Sequence, residues 1–517
     1  MKKARKGKNR AKKTKYRVKQ ESLKNVMLGN NYLLKSPKKS KSSNQSGEEH
    51  RENIAALLSN VISELSSGDA RSALGYCRRI LLEDPHNASA LNLAGIASFQ
   101  IGEAEQAVEF FQAAIIHSPD NAELLTNLGN VFSHLGRVKD AVVAYEKAMQ
   151  AEPNYAESFF NFGLLMELNS EPAKAIIAFE DTIKINSRHS LAWQALGNVL
   201  RTEMLFDRAR PAFEMAVKID PGLSVARTNL AALLHELGDF EGATEQCRLA
   251  LKITPNLTEA KYNLGVNLQE LGQYEEAIRL YREVLADQTE HAAAAMNIGY
   301  GQQKMEKLNE ASASFQVAID IDPDFAQAHA NLADLQLQQG NPISAIAVCD
   351  KFLHCHQGNP SLIALKTVAL VDAGAIDEAN SLMAFDRFLE TSHVDYPPGY
   401  NNLDEFNLAL GDHVVSHATL TYAPQSHATR NGQHTGELLV EPKGPIAELE
   451  KVIMSAVDNY KTRIENDPIH PFLEAMPDRM KLSIWGVVMG NGGYQLPHIH
   501  PAAWLSGVYY TKVPAVV

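Results

Sequence analysis

The sequence predicts an α-solenoid that gives way, towards its C-terminal end, to a smaller β-rich region. Three observations carry this expectation. Alanine recurs every 34 residues, at Ala73, Ala107, Ala141, Ala175, Ala209, Ala243, Ala277, Ala311, Ala345 and Ala379. A second series, Gly95, Gly129, Gly163, Gly197, Ala231, Gly265, Gly299 and Ala333, keeps the same step. After about Ser392 the period stops, and histidine-rich sequence with β-forming runs follows.

The first element is a basic arm, expected to be disordered over residues 1–50. Met1 to Lys41 carries 16 Lys/Arg against the single acid Glu21, although the whole chain of 517 residues has a net charge of −12. The remainder is therefore strongly acidic. Like charges repel along "MKKARKGKNRAKKTKYRVK", and little in it is apolar. Three roles are open to such an arm: a solvated tail, contact with nucleic acid or an anionic surface, or folding back on the acidic body. Only Tyr16 interrupts the early basic run, so it offers no aromatic stacking platform.

The second element is the repeat array, residues 51–391, with about ten units. Proline marks unit ends at Pro85, Pro119, Pro153, Pro221, Pro255 and Pro323, with Ser187 and Thr289 on the same lattice. Proline stops a helix because it lacks the N–H and clashes with the preceding turn. Small residues at fixed positions let two helices approach closely. Apolar residues fall at helical spacing in "AVVAYEKAM" and "AIRLYREVL". The last unit, from about Gly358, keeps only "DAGAIDEA" and reads as degenerate or capping. The pattern resembles the tetratricopeptide repeat, a helix–turn–helix unit of this period.

Cysteine usage follows the lattice. Four residues after the marker alanine stand Phe111, Tyr145, Phe179, Phe213, Tyr281 and Phe315, and Cys77, Cys247 and Cys349 fill that slot elsewhere. These thiols read as core fillers. Cys355, in "HCHQGN", reads as part of an inter-repeat loop, because two imidazoles and a thiol so close cannot all face one ion without strain. Four cysteines make no disulfide framework. No apolar run is long enough to span a bilayer, and the N-terminus has no apolar h-region; a cytoplasmic protein is expected.

One polar position also repeats. Two residues before the Gly/Ala marker stand Asn127, Asn161, Asn229, Asn263, Asn297 and Asn331, with Leu93 and Ala195 breaking the series. The resemblance implies that the first helix of each unit lines a concave surface, where asparagine ladders grip extended peptide. A carboxamide offers a donor and an acceptor, matching a peptide backbone. The partner expected is thus an extended peptide or protein. The other reading is that these asparagines cap turns or bond to a neighbouring helix.

The third element, residues 392–517, opens with the turn cluster "HVDYPPGYNN". An amphipathic helix is expected near "PIAELEKVIMSAVDNYKTRI", then a strand "KLSIWGVVM", a loop "GNGGYQLP" freed by Gly492 and Gly493, and a strand along "WLSGVYYTKVP". His413, His417, His427 and His434 fall in sequence read as irregular. His498 and His500 lie at i and i+2, so in a strand they point to one face and can hold a metal together.

The run "IWGVVMGNGGYQLPHIHPAAWLSGVYYTKVP", with "HATRNGQHTGELL" upstream, resembles 2-oxoglutarate/Fe(II) oxygenases that follow tetratricopeptide repeats in bacteria. The resemblance implies the start of a double-stranded β-helix (jelly roll) and a metal held by His498 and His500. It implies Fe(II) with 2-oxoglutarate as co-substrate, ascorbate as a further candidate, and hydroxylation of a C–H bond. His500 stands where the broader superfamily has Asp. The distal histidine and the basic residue for 2-oxoglutarate are expected beyond Val517, so the chain reads as truncated and inactive as written. A cupin-type site is the nearest chemical rival, but "PAAWLSGVYY" lacks the glutamate it needs. A non-catalytic interaction scaffold is the rival from another class. The asparagine ladder also resembles the repeat half of the O-linked N-acetylglucosamine transferase, yet no glycine-rich phosphate loop follows.

Overall fold

The computed structural model describes residues 45–391, 394–422, 429–440, 442–464, 480–495 and 505–511, with 470, 473 and 476 singly. Almost all of the basic arm, His427, His498 and His500 lie outside the described residues. The chain divides into two compact units, residues 1–271 and 272–517.

Unit 1 holds helix pairs α1 (Gln45–Ser67) and α2 (Ala70–Glu83), α3 (Ala88–Gln100) and α4 (Ala104–His117), α5 (Ala122–His134) and α6 (Val138–Ala151). It continues with α7 (Ala156–Leu168) and α8 (Pro172–Ile185), α9 (Ser190–Thr202) and α10 (Phe206–Ile219), α11 (Ser224–Glu236) and α12 (Phe240–Ile253), and ends on α13 (Thr258–Glu270). Helix α1 begins at Gln45, inside the stretch read from sequence as disordered arm, because the charge run stops at Lys41 and its apolar residues Leu57, Val61 and Leu65 bury against the array. Unit 2 opens on α14 (Tyr274–Asp287). It carries the pairs α15 (Ala292–Lys304) and α16 (Leu308–Ile321), α17 (Ala326–Gln338) and α18 (Pro342–Leu353), α19 (Pro360–Asp372) and the short α20 (Ile376–Met383). The marker prolines stand two residues beyond their helices, as at His117 and Pro119, or Ile321 and Pro323.

The two helices of a pair are locked by complementary volumes. A Cβ added at Gly95 would lie 2.8 Å from the Phe111 ring, and one at Gly129 would lie 2.6 Å from the Tyr145 ring. Gly163 against Phe179, Gly197 against Phe213 and Gly299 against Phe315 repeat this contact at 2.6 to 2.7 Å. In each case the glycine of the first helix accepts an aromatic ring sixteen residues later. Where the glycine becomes alanine, the ring becomes a thiol: Ala231 goes with Cys247, and Ala333 with Cys349. Ala333 and Cys349 share one buried cluster. Val61 and Cys77, at the same separation, are both fully buried. The three cysteines are thus core fillers for a definite reason. Burial pushes each of their thiols up to about 12.

The turn inside each pair needs a left-handed residue. Gly68, Gly102, Gly136, Gly238, Gly272, Gly340 and Gly374 supply it with positive φ. At three equivalent positions Ser170, Met204 and Glu306 adopt φ of 59 to 61° at some steric cost.

Past the repeats, unit 2 carries α21 (Phe385–Phe388), α22 (Leu403–Ser416), α23 (Ile446–Ile464) and strands β1 (Thr421–Tyr422), β2 (Thr429–His434) and β3 (Val487–Gln495). The strands form an antiparallel sheet in the order β1-β2-β3. Phe406 and Leu410 of α22, Leu438, and Ile446 and Leu449 of α23 make its buried core, with Ile484 and Tyr509 packed against them. The helix expected near "PIAELEKVIMSAVDNYKTRI" is present as α23. Among the described residues this sheet is all that stands for the expected β-helix.

Three local expectations are corrected. The glycine-rich stretch read as a loop belongs to β3, because it pairs with β2 at both ends: Gln433 with Val488 and Gly432 with Met489, then Arg430 with Tyr494 and Thr429 with Gln495. Residues 490–493 therefore face Asn431 alone, and the would-be loop is a bulge inside a strand. His413 lies in α22 and His434 in β2, so neither is in irregular sequence. Residues 505–510 form no strand. Side chains hold that segment instead: Leu505 packs against the cluster of Tyr460, Ile464 and Leu473, and the Tyr509 hydroxyl donates to Asn407 Oδ1 at 2.8 Å.

The volume lock is open to a double-mutant cycle. Gly163→Ala should destabilise by about 1–3 kcal/mol through overpacking, and Phe179→Cys by roughly 3 kcal/mol through the cavity it leaves. The double variant should lose less than the sum by more than about 1 kcal/mol, read from urea midpoints. Strict additivity would show that the two positions do not share one space.

Candidate peptide face and C-terminal sheet

Successive first helices of unit 1, α3, α5, α7, α9, α11 and α13, touch one another, and α3 to α11 also pack on their own partners. Their shared face is where the repeated asparagine falls. Asn127 donates to Asn92 Oδ1 at 3.2 Å, and Asn92 donates in turn to Glu123 Oε1 at 3.1 Å. Asn229 donates to Asn198 Oδ1 at 2.9 Å. Both bonds cross from one first helix to the preceding one. Asn263 is half-buried, while Asn161 is 1% exposed and neither its oxygen nor its nitrogen has a partner.

In unit 2, Asn297 is buried. Asn331 accepts from Gln327 Nε2 at 2.8 Å and lies 3.2 Å from Met296 Sδ. The structure thus spends part of the column on bonds between neighbouring repeats. Each carboxamide has two N–H groups and two lone pairs, so a single such bond leaves capacity over.

A second recurring position was not recognised in the sequence. Four residues before the marker, Trp193 Nε1 donates to Ser187 O at 3.0 Å, Arg227 Nε to Pro221 O at 3.2 Å, and His329 Nε2 reaches Pro323 O at 3.1 Å. Each acceptor is the unit-end residue of the proline series. Three unlike side chains thus act alike, each aiming an N–H at the carbonyl of the joint between units. The signal lay in laying the two lattices together.

A carbonyl can only accept, so His329 carries its proton on Nε2. Its Nδ1 is buried. Burial chiefly holds the His329 pKa below the usual imidazole range; the backbones of Pro323 and Val348 oppose this, and Lys351 and His356 add to it. Phe352 lies between the two imidazoles, 4.9 Å from His329 and 4.4 Å from His356 between ring centres. His356 faces Asp324 at 3.6 Å. Cys355 is exposed in the loop after α18, as its sequence context implied.

The metal-site expectation falls on His498 and His500, which are outside the described residues. Among the described residues no group of three His, Cys, Asp or Glu stands close enough to hold an ion. Around the sheet, His413 packs 5.7 Å from His417, and His434 stacks on Trp485 at 6.1 Å. Thr435 and Gly486 exchange two bonds beside β2 and β3, from Thr435 N to Gly486 O at 3.0 Å and from Gly486 N to Thr435 Oγ1 at 2.8 Å. No helix among the described residues is long and apolar enough to cross a membrane.

Comparison with protein families gives two kinds of match. Tetratricopeptide-repeat models match residues 64–126, 99–161, 224–254, 258–290 and 304–340. A model described as "Putative 2OG-Fe(II) oxygenase" matches residues 483–517. Among solved structures, the chain is similar to YrrB, titled a TPR protein with an unusual peptide-binding site, at 25% identity over 36% of this chain and 95% of that one, with a TM-score of 0.33. It is similar to Pseudomonas aeruginosa pilF at 20% identity, covering 41% and 97% of the two chains, with a TM-score of 0.37. It is similar to MamA of Desulfovibrio magneticus RS-1 at 19% identity, covering 33% and 97%, with a TM-score of 0.31. Comparison with curated proteins gives no match.

The buried imidazole makes unit 2 sensitive to acid. With the folded pKa of His329 below the unfolded value near 6.5, the unfolded chain binds the proton first. Stability should be intact at pH 7 and fall as the pH drops below that unfolded value. His329→Gln keeps a donor but cannot titrate, so its urea midpoint should fall less between pH 7 and pH 5 than that of the parent. Identical slopes would remove His329 from the acid response.

Proposed function

We propose that the chain is a peptide-binding repeat scaffold that brings an extended segment of peptide or protein to an oxygenase-type region at its C-terminal end. The binding half rests on one observation: Asn127, Asn229 and Asn263 stand half-buried at a single repeat position on the first-helix face, with carboxamide capacity that neighbours do not exhaust. Spacing by whole repeats suits a main chain, which offers the same N–H and C=O at every residue whatever its side chains. Tethering raises the effective concentration of the held segment beside the C-terminal region.

The catalytic half is supported by the family match over residues 483–517 and by the paired imidazoles His498 and His500. In this reading those two residues ligate Fe(II), with 2-oxoglutarate as co-substrate. The described residues alone do not make an iron site. Their part is to position: the β2–β3 ladder ends at Gln495, three residues before His498.

Two measurements separate the halves. Asn263→Ala should weaken capture of extended peptides on an array at least fivefold with its melting temperature near that of the parent, since no side-chain partner is lost. Asn229→Ala should weaken it too, but at an added cost of about 0.5–1.5 kcal/mol for the bond to Asn198. Unchanged capture in both would end the peptide reading. Titration with Co(II), followed by its visible absorption, should give bands in the parent chain that His498→Ala and His500→Ala abolish. The same bands in all three proteins would leave only the scaffold.

A further inference from the structure

We propose that the first-helix face of unit 1 takes a basic segment, and that its occupant is the chain's own arm, residues 2–41. The inference rests on the peptide reading above and adds the chemistry of the partner. Three first helices carry the same pair one turn apart: Glu123 with Asn127, Glu157 with Asn161, and Glu259 with Asn263. Residues at i and i+4 share a helix face. In unit 2 the equivalent pair, Gln327 and Asn331, is in direct contact at 2.8 Å. The carboxamide suits a main chain, and the carboxylate beside it suits a lysine or arginine side chain, in addition to the bond Glu123 accepts from Asn92 at 3.1 Å and the contact of Glu157 with His189 Nε2 at 3.5 Å.

Two further observations point to a ligand. Asn161, almost wholly buried beside Glu157, has both carboxamide atoms unpartnered, which costs free energy unless a polar group arrives. Thr126 Oγ1 is likewise buried and without a partner, and it holds the lattice place that Asn92 fills for Asn127. Arg201, near the end of α9, lies 3.7 Å from Glu236 and so does not oppose a basic ligand.

The arm fits in charge and in reach. It carries 16 Lys/Arg against Glu21 alone and joins the array at Gln45, in the same unit as the three pairs. About forty residues span up to roughly 140 Å when extended. Neighbouring helices lie about 10 Å apart, so the arm can run from α3 to α13. Held there, it occupies the face until a better-matched segment displaces it.

Limited trypsin digestion of the full chain, followed by mass spectrometry, tests this. Cleavage within residues 2–41 should be at least fivefold slower in the parent than in the triple variant Glu123→Gln, Glu157→Gln, Glu259→Gln, and 0.5 M salt should erase the difference. A second variant, Lys12→Glu with Lys13→Glu and Lys15→Glu, leaves the repeats untouched and should release the remaining sites equally. Equal cleavage in parent and both variants, at the rate of a synthetic peptide of residues 2–41, would overturn the proposal. Slow cleavage in all of them would place the arm elsewhere and overturn it too. A labelled Lys/Arg-rich peptide of unrelated sequence that binds the parent as tightly as the arm-reversed variant would assign the face to outside partners instead. If only the charge reading fails, the Asn263→Ala loss of peptide capture persists; if the peptide reading fails, that loss disappears as well.

Discussion

The array depends on how much volume two facing helices must share. The first helix offers a glycine, the second an aromatic ring, and the approach is so close that one methyl group on the glycine would strike the ring at under 3 Å. The ring is fully buried at Phe111, Tyr145, Phe179, Phe213 and Phe315. At Tyr145 it also carries a hydroxyl that donates to Asn130 at 2.7 Å, and burial pushes that phenol up. Fixing the pair distance in this way lets every other repeat position recur in space as it does in sequence. Within each unit, asparagines two residues before the glycine and N–H donors four residues before it therefore come back to equivalent places on successive first helices.

Most of this was legible in the sequence, since the period is a direct readout of helix pairs. The alanine and glycine series located the close approaches, and the proline series located the helix ends. What the series could not show singly was their coupling. Ala231 and Ala333 look like lapses in a glycine column until Cys247 and Cys349 are seen opposite them. The donor slot was hidden for a similar reason. Trp193, Arg227 and His329 share no chemistry except one N–H aimed at a carbonyl, and composition does not reveal direction. The asparagines were found, yet their use between neighbouring repeats was not separable from a ligand's use, because one carboxamide serves both.

The C-terminal region was less legible because its structure is made by long-range pairing. "GNGGYQ" has the composition of a loop, and only β2, some sixty residues away, turns it into a bulged strand. "WLSGVYY" has the composition of a strand, but its described part is tied down by Tyr509 and Leu505 rather than by a backbone ladder. The amphipathic helix α23 was readable, since its period is local.

The thiol-bearing pairs have a mechanical meaning. Exchanging a ring for Cys247 or Cys349 removes more bulk than the added alanine methyl restores, so the two helices of those pairs are held by smaller side chains at their closest approach. In a chain where each unit leans only on the next, tension does not distribute evenly. It falls first on the helix pairs that a thiol closes, which open as single hairpins while their ring-filled neighbours hold.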